Sequence, residues 1–246
     1  MPRSRAPYWA LARAPRYSIT FAVPLLLLYE ALAFLFSGSG YAGLRNGADV
    51  LLKSLFVTLG GSYGLTVFPA VLLGAGAYLI ARDIRKSGGI EPRIFAGMAL
   101  ESVVYAGLVG VIVGTLTARL LHALSLARLA AGPMARLDFP TQLMISLGAG
   151  IYEELLFRVL IVGALAALAR RVLGWKPWPA GITATIAGAL IFSAFHYVGP
   201  YGDPLELGSF TFRALAGVFF SGLYLLRGFG IAAWAHALYD VMLAAR

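Results

Sequence analysis

Seven apolar runs of roughly 15–25 residues, each the length of a membrane-crossing helix, dominate this chain of 246 residues. They fall near 17–36, 65–81, 94–116, 141–169, 178–198, 210–226 and 229–244. Hydrocarbon offers a backbone no hydrogen-bond partners, so runs of this length must satisfy their own N–H and C=O groups as helices. The fold class that follows is all-α, a polytopic transmembrane helical bundle of about seven spans plus interfacial helices. The interfacial set is 47–59, which carries Asp49 and Lys53, and 117–139, where Arg119, Arg128 and Arg136 are spaced among leucines and alanines. The chain, 1–246, reads as a single integral-membrane domain without a separate soluble part.

Charge and composition agree with that class. Only 13% of residues are charged, against about 25% in soluble domains. The net charge of +9 does not point to nucleic acid, because the arginines lie between apolar runs, where they set membrane topology. The absence of cysteine excludes disulfides, S-acylation and thiolate metal sites. The opening MPRSRAPYWALARAPR resembles the basic flank of a signal peptide. The apolar run after it is long and has no small-residue cleavage site, so a retained first span is expected. A cytoplasmic N-terminus places the larger share of Arg and Lys inside, among them Arg82, Arg85, Lys86, Arg170, Arg171 and Lys176. The Ala/Leu/Arg-rich, Lys-poor composition points to a high-GC bacterial genome, and hence to a bacterial inner membrane.

Ionisable residues within the spans carry the chemistry, because a charge at the bilayer centre costs about 2.5–3.5 kcal/mol even on the gentlest scale. Glu30 and Glu101 each stand alone in a span and read as helix-packing hydrogen bonds or near-interface positions. His122, in the expected surface helix, carries no functional signal. The last four spans hold a denser set: Glu153, Glu154, Arg158, His196, His236 and Asp240. On an α-helix Glu154 and Arg158 share a face, in the favourable order for an ion pair, while Glu153 lies about 140° from Arg158. One carboxylate is paired and the other is free.

Two rows of small residues at spacing four lead to the histidines: Ala180, Ala184, Gly188, Phe192, His196, and Gly228, Ala232, His236, Asp240, Ala244. Such rows let helix backbones approach, so both histidines are expected to face the bundle interior. Asp240, one turn from His236, is placed to orient its imidazole or to contact the same ligand. Glu153 and His196 lie at similar depth from the connector RRVLGWKPWP. His236 is closer in sequence to its own connector at Arg227, and reaches that depth only if the connector is sunk into the bundle.

EELLFR, FSAFH and HALYD follow one another on successive apolar segments as EExxxR, FxxxH and HxxxN/D. In this, residues 140–244 resemble the CPBP family of intramembrane proteases, also called Abi or type II CAAX-prenyl-endopeptidase-like proteins. The resemblance implies hydrolysis of a peptide bond in or near a membrane-embedded segment of another protein. It implies Glu153 and His196 as activators of water, His236 and Asp240 as polarisers of the scissile carbonyl, and Glu154, Arg158 and Phe192 as structural support. Relatives that process prenylated proteins carry Asn at the last motif position, where this chain has Asp240. An ionised Asp cannot donate to an oxyanion. No cofactor is required by that chemistry; alternatively Glu153, His196, His236 and Asp240 would bind Zn²⁺. Expected partners are membrane lipid and a membrane-anchored protein or peptide substrate. A non-enzymatic reading, a membrane peptide-binding, bacteriocin-immunity or scaffold protein, uses the same bundle without hydrolysis.

Overall fold

The computed structural model describes residues 6–36, 43–121, 137–199 and 202–245, and every element among them is helical. A short α1 (Tyr8–Arg13) leads into α2 (Pro15–Leu35), whose first position is a proline already fixed in helical φ. Then comes α3 (Gly47–Gly60), started by the side chain of Asn46, which accepts from the Ala48 N–H, with Asp49 in the first turn. Gly61, at φ +59°, ends α3 and a single 3₁₀ turn passes the chain into α4 (Gly64–Ser87). The long α5 spans Pro92–Leu121.

The motif-bearing half opens with α6 (Phe139–Gly148), capped by Asp138. It continues without a break into a π-helical stretch, Ala149–Val162, and then α7 (Gly163–Arg171). After the Pro-rich connector follow α8 (Pro177–Phe195), α9 (Leu207–Arg227) and α10 (Phe229–Ala244). The runs Pro15–Leu35, Gly47–Ser87, Pro92–Leu121, Pro177–Phe195 and Leu207–Arg227 are each long and apolar enough to cross a membrane by length and composition. Four of these contain the expected spans 17–36, 94–116, 178–198 and 210–226 or nearly so; 65–81 lies inside α4. The 141–169 run is one helical rod through α6, the π stretch and α7. The 229–244 run coincides with α10, which at 16 residues is shorter than the rest. The 47–59 segment is α3. Of the expected surface helix 117–139, residues 117–121 belong to α5, and 122–136 lie outside the described residues.

At the centre stands α10, packed against α2, α5, α6, α9 and the π stretch. Its sequence explains why: Ile231, Ala232, Ala233, Ala235 and Ala237 are fully buried, and the alanines admit neighbouring backbones that larger side chains would hold off. The α8 row behaves in the same way, with Ala180, Ala184, Gly188 and Phe192 all buried. Large apolar side chains such as Leu27, Leu100, Val111, Ile182 and Leu226 point outward. That surface suits lipid and would be a liability in water.

Interhelix ion pairs account for the isolated acids. Arg227 makes two 2.7 Å hydrogen bonds to Glu101, and Asp83 at the end of α4 accepts from Arg16 at the start of α2. Gly228, at φ +89°, is buried against Arg13 and Ser18, and the Ser18 hydroxyl accepts from the Gly230 N–H at 2.9 Å. The α9–α10 connector is therefore buried against α1 and the start of α2.

Candidate active site

The polar cluster is assembled from the π stretch, α8, α10 and the cap of α3. Glu153 Oε2 lies 3.9 Å from His196 Nε2 and 3.9 Å from His236 Nε2. Glu153 and His236 are buried, and a quarter of the His196 side chain remains accessible. The residues expected to converge do so.

Each imidazole is oriented through its other nitrogen. His196 Nδ1 donates to the Phe192 carbonyl at 2.8 Å, one turn back along α8. His236 Nδ1 donates to Glu154 Oε1 at 2.7 Å. A carbonyl and a carboxylate only accept, so in a neutral ring both Nε2 lone pairs face Glu153. The orienting acid of His236 is thus Glu154 and not Asp240, whose Oδ2 stands 3.7 Å from His236 Nε2, beyond hydrogen-bond reach. Asp240 instead borders the same space, about a third exposed.

Glu154 serves two partners, since its Oε2 also pairs with Arg158 Nε at 3.2 Å. The guanidinium lies over the Phe192 ring, 4.4 Å from its centroid, and within 5.6 Å of Phe220. Phe220 in turn stacks on the His236 ring at 4.5 Å with an 18° interplanar angle. Phe192 packs edge-on against His196. The wider winding of the π stretch explains how both glutamates reach one histidine: a helix bonded i to i+5 turns less per residue than α, so neighbouring side chains diverge less than 100°. Regular α geometry would have sent them further apart.

The second oxygen of Glu153 is occupied as well. Asn46 Nδ2 donates to Glu153 Oε1 at 2.8 Å. Behind Asn46 stands a buried network. The Tyr29 hydroxyl accepts from the Asn46 N–H and donates to Asp49, which is paired with Arg45 and Lys53. Glu30 accepts from Arg45, Lys53 and the Tyr152 hydroxyl. Burial works against the Arg45 charge, but its hydrogen bonds to Glu30 and Asp49 prevail and raise its pKa above the ordinary guanidinium value. Sequence reading missed Asn46, Phe220 and this network. Only the local RNGAD pattern signalled anything there, as a helix cap with an acid in the first turn.

Four donor atoms border the space: Glu153 Oε2, His196 Nε2, His236 Nε2 and Asp240 Oδ2. Tetrahedral zinc, bound at 2.0–2.1 Å, holds its ligands roughly 3.3 Å apart. The pairs here stand at 3.7–3.9 Å, and among the described residues no group of three or more His, Asp or Glu is placed to hold a metal ion. As it stands, the donor set does not close into a ligand shell.

Residues 135–242 match the family model described as type II CAAX prenyl endopeptidase Rce1-like. Over this segment, which is less than half of the chain, the sequence is similar to that family. No curated protein and no solved structure matches it. This similarity, and five helices long and apolar enough to cross a membrane, suit an integral membrane protein. The match takes in EELLFR, FSAFH and HALYD and excludes α1–α5, including Asn46.

Proposed function

We propose that this protein is a CPBP-type intramembrane endopeptidase in which Glu153 activates water. The reading rests above all on the convergence of the Glu153 carboxylate and two imidazole Nε2 atoms, each 3.9 Å from Glu153 Oε2. A water between Glu153 Oε2 and His196 Nε2 is held by its own two O–H donors, with its lone pairs turned outward to a substrate carbonyl. Glu153, assisted by His196, takes the water proton as the C–O bond forms, and the tetrahedral intermediate then collapses with transfer of that proton to the leaving amine. His236 enters the cycle already protonated on Nε2 and keeps that proton, donating it in a hydrogen bond to the developing oxyanion, while Glu154 on its Nδ1 balances the imidazolium charge. Asp240 borders the same carbonyl position. Glu154, Arg158 and Phe192 hold the machinery in register.

The same reading takes the chain as one membrane domain with a cytoplasmic N-terminus in a bacterial inner membrane. α8 rises from the 172–176 connector to His196 at its far end, so the site opens on the side away from that connector. In this orientation that side is extracytoplasmic. A hydrophobic tail or transmembrane segment of an exported, membrane-anchored protein is the substrate class that suits it.

Purified protein in lipid, given a fluorogenic membrane-spanning peptide, tests the reading. Cleavage is expected, and it is expected to survive dialysis against a strong chelator. Cleavage lost on chelation and restored by Zn²⁺ would replace the glutamate mechanism with a metal one. Binding of the peptide without cleavage would favour a scaffold or immunity protein.

A further inference from the structure

We propose that Asn46 is a positioning residue for Glu153, fixing one carboxylate oxygen so that the other faces the two imidazoles. The inference rests on the endopeptidase reading above. It extends the catalytic apparatus to a residue outside the family-matched segment, 107 positions before Glu153.

The orientation of the Asn46 amide follows from its neighbours. Its Oδ1 accepts from the Ala48 N–H at 2.9 Å, which leaves Nδ2 to face Glu153 Oε1 at 2.8 Å. The Asn46 N–H donates to the Tyr29 hydroxyl at 3.2 Å, and that hydroxyl donates to Asp49 at 2.8 Å. Asn46 is thus tied at both ends of its side chain and at its backbone, and it is only 3% exposed. A buried carboxylate away from water requires donors, and this amide supplies one without competing for Oε2.

Two glycines bring the cap of α3 this close. A Cβ on Gly47 would stand 3.2 Å from the Phe195 ring beside His196, and a Cβ on Gly148 would stand 2.8 Å from Asn46 Cβ. The N-terminal end of α3, with its partial positive charge, also faces the carboxylate.

Asn46→Ser separates the two jobs of the residue. Serine caps a helix as well as asparagine does, but it is too short to bring a donor to Glu153. In the membrane-peptide assay, Asn46→Ser is expected to lower kcat about 10- to 100-fold with KM within about 2-fold of wild type. Its melting temperature should fall by no more than the loss of one buried hydrogen bond implies, so turnover is compared per folded protein. Wild-type kcat in Asn46→Ser overturns the inference, and so does a loss of turnover that merely tracks a loss of folded protein. Wild type and Glu153→Gln run in parallel. An inactive wild type, or a Glu153→Gln variant that still cleaves, overturns the endopeptidase reading itself and is readily told apart from a failure at Asn46.

Discussion

Arg158 is buried to 1% exposure, and none of its guanidinium nitrogens makes a hydrogen bond among the described residues. Its one ion pair within 4 Å among the described residues is with Glu154, and the faces of Phe192 and Phe220 cover it. Removing one partner of such a pair leaves an uncompensated charge in a dry interior, at roughly 3–5 kcal/mol. Glu154→Gln is therefore expected to lower the melting temperature and the accumulated protein, and to reduce turnover as His236 loses its carboxylate. Thermal melts in detergent check this, and a wild-type melt would contradict it. The Glu154–Arg158 pair was legible because both residues lie on one helix, four apart. The partners of Glu153 and of the His236 face were not, because Asn46 and Phe220 reach the site across the fold and no local spacing announces them.

Helix by helix, the small-residue rows foretold which faces meet. Ala180, Ala184, Gly188 and Phe192 on α8, and Ala232 and His236 on α10 with Gly228 at its cap, all turn inward. What the rows do not encode is winding, since periodicity arguments presuppose 100° per residue. The π stretch, Ala149–Val162, departs from that step where the two glutamates lie, a recurring place for such irregularity. Two glycines pack this stretch. A Cβ on Gly150 would fall on the Ala233 carbonyl oxygen of α10, whereas a Cβ on Gly188 would meet a methyl of Val162. A side-chain methyl yields more readily than a backbone carbonyl fixed in a helix. Gly150→Ala should thus destabilise by about 1–3 kcal/mol and Gly188→Ala by less. Comparing the two melts tests the order, and a reversed order would contradict the packing described for α10.

For the whole molecule, the α9–α10 connector is buried against α1 and the start of α2, and α10 still brings His236 to Glu153. Hydropathy located the long helices but not this detail, because three residues around Gly228 carry too little hydropathy to reveal where they sit. Orientation is directly testable, since the chain has no cysteine. In intact cells, Leu205→Cys should react with a membrane-impermeant maleimide, and Leu173→Cys only after permeabilisation; both side chains are exposed. The opposite pattern would invert the bundle and place the site on the cytoplasmic side. The central claim, that Glu153 is the base for water, is tested most directly by the turnover of Glu153→Gln on the membrane peptide, with its melting temperature measured in the same preparation. Gln is nearly isosteric but cannot take a proton from water, so turnover should fall about 10²- to 10⁴-fold while the protein melts no lower than wild type. Substantial turnover in Glu153→Gln, or a variant that is lost only because it unfolds, would contradict the account.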